Sequence, residues 1–399
     1  MKILRLKNLS KFFFGKYYKN ILLYYETIFK PLKFKLNKKR DHQSLVRKER
    51  GFLLDFSIDN YLTFHLRPKK SDDYKLVSTD IIKNKFAIII QGQIGGIYDF
   101  LKETLKIYNK IFPDSLIIIS TWDDENIEKI SKLKNKNTHI IFNKSLNYKS
   151  PGNTDNQIIS TYSALSYSKS VGIEYCIKQR ADFRVNKNNI KTYLMSLLKN
   201  FPLKEKNESI KNRIIITSLG TFKYRLFSAS DFFLFGHTDD LIKYFDKETY
   251  LNGIRKYNSA HLPCFHNDTP VISEIFLCAR YLMNIDKKIQ WNLDNWWSSL
   301  EKFFCVIDAS SLDLFWLKYD WEYEYRFTKN YSNRSSRAIE FSDWLTLYSE
   351  NQHGWNNSNE DHERFDENYS LKNIRYYKVY ISYLSYNTKY ITYAITSID

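Results

Sequence analysis

Four short apolar runs, each ending in polar residues and each followed by a stretch at helical spacing, limit this chain to few folds. Residues 86–90 read Phe-Ala-Ile-Ile-Ile and end at Gln91 and Gly92. Ile97, Leu101, Leu105, Tyr108 and Phe112 then recur at intervals of three and four, which gathers them on one helix face, and Pro113 stops that helix. Residues 116–119, Leu-Ile-Ile-Ile, make a second run that ends in Ser120, Thr121, Trp122, Asp123 and Asp124. A charged helix leads to a third run, His-Ile-Ile-Phe at 139–142, and Ile158, Tyr162 and Leu165 mark the next helix. Residues 174–178 make the fourth run and lead into Gln179, Arg180, Ala181 and Asp182. Apolar β-branched runs without polar alternation are strands buried on both faces. Their alternation with helices predicts an α/β fold with a doubly wound, mostly parallel sheet and helices on both faces. Ligands of such sheets lie beyond the carboxyl ends of the strands. Gln91, Asp123, Asp124, Arg180 and Asp182 are therefore the first candidates for a site.

Further along, residues 213–217 read as a strand. Residues 227–236 read as a polar turn holding Asp231 and feeding an aromatic strand, with a helix opening at His237. Residues 269–285 read as a long helix with Pro270 in its first turn. From about residue 315 the chain is rich in Tyr, Trp and charge, and its periodicity is too poor to place elements. The divisions expected are a basic N-terminal helical arm over 1–80, a ligand-binding domain over 81–310 and an aromatic-rich extension over 311–399 that packs on it. With 31 Tyr, 28 Phe and 8 Trp but only 11 Gly and 7 Pro, disorder and long linkers are not expected. No internal repeat is visible.

Charge is concentrated at the start. Residues 1–40 hold twelve Lys or Arg against one acid, Glu26, so +11 of the net +17 lies there. Phe12, Phe13, Phe14, Tyr17, Tyr18 and residues 21–25 interleave with those lysines. An amphipathic helix of this kind can lie on an anionic membrane surface; a helix packed on the domain with solvated lysines is the alternative. A nucleic-acid arm is not expected, because no recognition module follows it. No apolar stretch reaches the roughly 20 residues of a membrane span, and Lys11, Lys16 and Lys19 interrupt any secretory signal. The four cysteines, 176, 264, 278 and 305, lack zinc spacing and read as free thiols in a reducing cytoplasm.

Lys178, Arg180 and Asp182 alternate along a strand and so face one way. Two cations and a carboxylate at a strand end suit a nucleoside diphosphate, the cations taking phosphates and the carboxylate a divalent metal or a ribose hydroxyl. A surface ion-pair cluster is the bland alternative. Gln91, Gly92, Gln93, Ile94, Gly95 and Gly96 form a glycine-rich turn where a ligand can approach backbone N–H groups, although the spacing is neither a dinucleotide fingerprint nor a P-loop.

These residues belong to a longer pattern: Ile90-Gln91-Gly92, Ile119 to Trp122, Asn156-Gln157-Ile158, Ile177 to Asp182, Ser230 to Gly236, and Ser273-Glu274. In that order, over roughly 85–310, the chain resembles the WavE-type lipopolysaccharide synthesis proteins, a group of bacterial glycosyltransferases. It departs from them at Gln93, where the family pattern has proline. The resemblance implies a GT-A-like nucleotide-sugar-binding and catalytic domain. It implies an acidic motif holding Mg²⁺ or Mn²⁺ against the donor diphosphate, and Arg180-Ala181-Asp182 stands at that place with one carboxylate. A metal-free site using Lys178 and Arg180 remains open. The donor-binding candidates are Gln91, Gly92, Asp123, Asn156, Gln157, Lys178, Arg180 and Asp182, with Asp182 as the metal ligand. An inverting transferase also needs a general base, for which Asp231, ahead of Glu274 and Asp268, is the first candidate.

The expected partners are a nucleotide-sugar donor, a lipid-linked or lipopolysaccharide glycan acceptor and, through residues 1–40, an anionic membrane surface. That places the protein in the cytoplasm, peripheral on the inner face of the membrane. Two rival functions stand beside transfer of a sugar: transfer of a sugar- or polyol-phosphate, and a non-catalytic scaffold of a polysaccharide assembly complex. A scaffold would not require the polar strand ends to converge.

Overall fold

The computed structural model describes residues 70–73, 85–148, 153–205, 207–223, 225–247, 273–286, 289–290, 292–317 and 338–350, all within the unit Pro68–Asp399. The basic segment 1–40 and Asp268 lie outside the described residues. Seven strands form the main sheet in the order β3-β2-β1-β4-β7-β6-β8. They are β1 (Phe86–Gln91), β2 (Leu116–Trp122), β3 (Thr138–Asn143), β4 (Tyr175–Arg180), β6 (Ile214–Thr217), β7 (Phe233–His237) and β8 (Phe304–Ile307). All neighbours pair in parallel except β7, which is antiparallel to both β4 and β6. A separate antiparallel pair joins β5 (Phe183–Val185) to β9 (Leu314–Trp316).

The expected α/β sheet is present, and its core is the apolar runs themselves. Residues 86–90, 117–119 and 214–216 are all buried. Each fully buried aliphatic side chain contributes about 1.5–3 kcal/mol. Helix α1 (Tyr98–Ile111) buries Leu101, Leu105, Tyr108 and Ile111 and ends at Phe112, before Pro113. A short helix, α2 (Ile127–Ser131), follows β2, and α3 (Thr154–Ser170) follows β3.

Helices cover both faces, as side chains of β4 show. Gln179 accepts from the Tyr108 hydroxyl of α1 at 2.7 Å. On the opposite face Cys176 touches Thr238 at the start of α5 (Thr238–Tyr244), and α3 packs across β1 and β2. Helix α4 (Ile190–Asn200) precedes β6. Helix α6 (Ser273–Asp286) packs against α5, and α7 (Leu293–Phe303) leads into β8.

The segments beyond residue 310, where the sequence places no elements, contribute to the core. Helix α8 (Phe341–Glu350) packs with α7 on β8. Its Trp344 is fully buried and donates its indole N–H to the Leu300 carbonyl at 3.2 Å.

Candidate active site

One edge of the sheet collects the polar strand ends. β1 to β4 all finish there, and Gln91 stands in register with Ser120 on one side and Arg180 on the other. Because β7 runs the opposite way, with Gln179 facing Phe233, the residues just before it, Asp231 and Phe232, lie at this same edge. Helices α3 and α6 begin there too, and the Thr154 and Ser273 hydroxyls meet at 2.8 Å. At the tip of β1 the backbone of Gly92 has φ +127°, which only glycine adopts without strain. Its N–H donates to the Ser120 carbonyl. Ala181 N–H donates to the Gln91 carbonyl at 2.8 Å, so the β1–β4 ladder extends one residue past Arg180.

Arg180 and Asp182 form a bidentate pair, with Nε to Oδ1 at 2.8 Å and Nη2 to Oδ2 at 2.9 Å. Trp316 of β9 donates its indole N–H to Asp182 Oδ2, also at 2.9 Å. The guanidinium carbon stands 5.5 Å from the Trp316 ring and 5.8 Å from those of Phe183 and Phe232. Burial pushes the Asp182 carboxyl up, but the Arg180 hydrogen bonds and charge with the Trp316 indole outweigh it and hold the group below its ordinary value. Both Asp182 oxygens are thus engaged. A metal bound there would have to share them with Arg180 and Trp316.

Lys178 is fully buried. Its ammonium donates to the main-chain carbonyl of Asp231, towards which Gln157 of α3 also points at 3.5 Å. Burial pushes Lys178 down to about 8, against the opposing pull of Asp231. Asp231 is itself buried. Burial first, and the charge of Asp231 second, push Glu274 up to about 7, while Arg225 and Arg180 pull it down. The Tyr244 hydroxyl is buried beside these carboxylates with no hydrogen-bond partner among the described residues.

The structure therefore brings together Gln91, Gly92, Gln157, Lys178, Arg180, Asp182, Asp231 and Glu274. Asn156 adjoins Gln157, with its side-chain oxygen buried and unpartnered among the described residues. Asp123 sits apart at the end of β2. It is exposed and accepts from the Ser145 N–H at 2.8 Å, the main reason its carboxyl lies below its ordinary value. The N–H groups expected to await a ligand after β1 are partly taken, since Ile94 and Gly95 donate to Glu125 Oε2 at 2.7 and 2.6 Å. The Thr121 hydroxyl holds the other oxygen of that carboxylate.

Glu125, Arg225, Tyr244 and Trp316 are not among the site candidates the sequence offers. Only Glu125, three residues past a strand end, carried a positional hint. No group of three His, Cys, Asp or Glu converges among the described residues, so these side chains alone do not make a divalent-metal cage. A cavity of about 320 Å³ lies at the opposite edge of the sheet, lined by Lys169, Lys211, Asp239, Asp240 and Lys243 among others. Its charges are matched internally, with Lys169 and Lys211 each 2.8 Å from Asp239.

The model of the WavE lipopolysaccharide synthesis family matches residues 87–379, from the second residue of β1 to beyond α8. The chain belongs to this family. Every described residue of the crevice lies within the WavE match, as does the β9 segment that supplies Trp316. No protein of curated function matches the chain. Among solved structures it is similar to a protein from Desulfovibrio desulfuricans G20 described as a nucleotide-diphospho-sugar transferase. The identity is 8%, over 42% of this chain and 69% of that one, with a TM-score of 0.26. It is similar also to the galactosyltransferase LgtC in complex with donor and acceptor sugar analogues, at 9% identity, 56% and 73% coverage and a TM-score of 0.28. A third is a glycosyltransferase involved in glycosylation of the major capsid of PBCV-1, at 10%, 56% and 82%, and 0.28. At these scores the likenesses carry no argument about activity, which rests on the chain's own residues.

Proposed function

We propose that the chain is a glycosyltransferase that moves a sugar from a nucleotide-sugar donor to a lipid-linked or lipopolysaccharide glycan. The observation that carries this reading is the convergence of an anchored cation, Arg180, with two neighbouring carboxylates, Asp231 and Glu274, at the ligand-binding edge of the sheet. The leaving group of such a transfer is a nucleoside diphosphate. A guanidinium suits its phosphate oxygens and offsets the charge that grows on them as the sugar bond breaks. Gln91 and Gly92 form the floor under the donor, and Asp123, farther along the edge, reaches its nucleoside end.

The acceptor hydroxyl must lose a proton as its oxygen bonds to the sugar. A carboxyl near 7 is matched to that task at neutral pH. In this reading Glu274, raised by burial and by the charge of Asp231, takes the part that the sequence assigns first to Asp231 alone. Lys178, spent on a carbonyl inside the protein, supports Asp231 and takes no phosphate. Convergence of these residues also counts against the scaffold reading.

The test is to incubate the purified chain with nucleotide sugars and a lipopolysaccharide acceptor and to identify the nucleotide released. A nucleoside diphosphate accompanies sugar transfer. From a nucleoside-diphosphate donor, release of a nucleoside monophosphate would mean that a sugar-phosphate moves instead, and no turnover with any donor would return the scaffold.

A further inference from the structure

Among the described residues after 310, Trp316 reaches the crevice, and the backbone fixes its place. β9 pairs with β5 so that Trp316 faces Phe183, and Leu317 N–H donates to the Asp182 carbonyl at 3.0 Å. Trp316 is 3% exposed. A buried indole N–H needs an acceptor, and the acceptor here is Asp182 Oδ2. The Trp316 ring meets Phe183 at 4.7 Å and Phe232 at 5.0 Å between centroids, so it cannot turn away.

The carboxylate of Asp182 is consequently gripped from two sides, by the fork of Arg180 and by the indole. An arginine side chain alone has many rotamers. One whose fork is locked to a fixed carboxylate, above the electron-rich faces of three rings, presents its cation in a single place.

We propose that Trp316 is a positioning residue of the site: through Asp182 it holds the Arg180 guanidinium where the anionic diphosphate of the donor binds. The inference rests on the reading of the chain as a nucleotide-sugar transferase. It assigns to the C-terminal segment a part in donor recognition.

Trp316→Phe keeps a ring in the aromatic cluster and removes the N–H. Trp344→Phe is the matched control, because it removes a buried indole donor that binds the Leu300 carbonyl away from the crevice. Two readouts are taken on the full chain. The first is calorimetric binding of UDP, GDP and inorganic pyrophosphate. The second is hydrogen exchange at the Arg180 Nε–H, followed by nitrogen-15 NMR and assigned with Arg180→Lys. In Trp316→Phe, diphosphate binding weakens by roughly 10-fold, the worth of one ordinary hydrogen bond. The Arg180 Nε–H exchanges faster, and in the transfer assay donor KM rises with kcat retained. Trp344→Phe changes none of these.

Unchanged diphosphate binding in Trp316→Phe overturns the proposal, as does unchanged exchange at Arg180. If exchange accelerates but even the wild-type chain binds none of the three probes, the positioning of Arg180 stands. The donor reading, and with it the ligand assigned to Arg180, then falls.

Discussion

Lys178 in β4 donates its ammonium hydrogen to the main-chain carbonyl of Asp231, two residues ahead of β7. The bond crosses the first of the two junctions, β4 to β7 and β7 to β6, where the sheet changes direction. It ties a fully buried cation to the residue from which the sequence leads one to expect base chemistry. Lys178 therefore acts on the site through Asp231.

Lys178→Met keeps the apolar stem and deletes the ammonium. The carbonyl of Asp231 loses a donor, which costs about 1–3 kcal/mol, while the fold no longer has to bury a cation. The opposed effects leave thermal stability nearly unchanged. Turnover falls by roughly 10²-fold, the usual consequence of displacing a catalytic group by about 1 Å, and UDP affinity stays. Loss of UDP binding with retained turnover at saturating donor would place the ammonium on the phosphates instead.

Glu274→Gln should separate stability from activity by pH. The folded-state value of Glu274 is raised, to about 7 from an ordinary 4.5. Between those values the folded chain holds a proton that the unfolded chain has released. The stability contributed by the neutral acid is complete below about 4.5 and is lost as pH rises through about 7. Gln mimics the neutral acid at every pH. The variant is therefore more stable than wild type at pH 8, by about 1–3 kcal/mol, and equal to it at pH 4.5, while transfer drops by roughly 10²–10⁴-fold. Melting curves at the two pH values decide the first point; an equal offset at both would mean that the Glu274 carboxyl is not raised in the folded chain.

Asp182→Asn releases Arg180 from its fork. The amide can still accept from Trp316, so β9 stays docked and the loss of stability is small, about 1 kcal/mol. Diphosphate binding weakens and donor KM rises, since the guanidinium is no longer held in one place. Wild-type donor KM in this variant would exclude the pair from the site.

Deletion of residues 1–40 removes +11 of the net charge. The proposal that this segment meets an anionic membrane predicts much weaker binding to phosphatidylserine vesicles, because each lysine near such a surface is worth about 1 kcal/mol. Vesicle sedimentation at moderate salt measures it. Equal binding by the truncated and full chains would assign the lysines to solvent.

Strands β1 to β4, β6 and β7 are legible in the sequence, because runs such as 86–90 and 117–119 bury both faces and so need no polar alternation, whereas β5, β8 and β9 carry no such signal. The helix over 98–111 announced itself by the three-and-four spacing of Leu101, Leu105 and Tyr108. These are local patterns, set by backbone geometry and by the free energy of removing apolar side chains from water. Polar strand ends such as Arg180 and Asp182 could likewise be picked out, since a parallel sheet sends its ligands to one edge. Whether Asp182 faces a ligand or Arg180, whether Lys178 touches a phosphate or a carbonyl, and whether Asp231 and Glu274 share an electrostatic environment depended on contacts between residues tens of positions apart. The antiparallel insertion of β7 put Asp231 beside β4, and the pairing of β5 with β9 carried Trp316 more than a hundred residues back to Asp182. Hydrogen-bond partners and burial are properties of the assembled chain, and no periodicity in the sequence encodes which distant donor a carboxylate will meet.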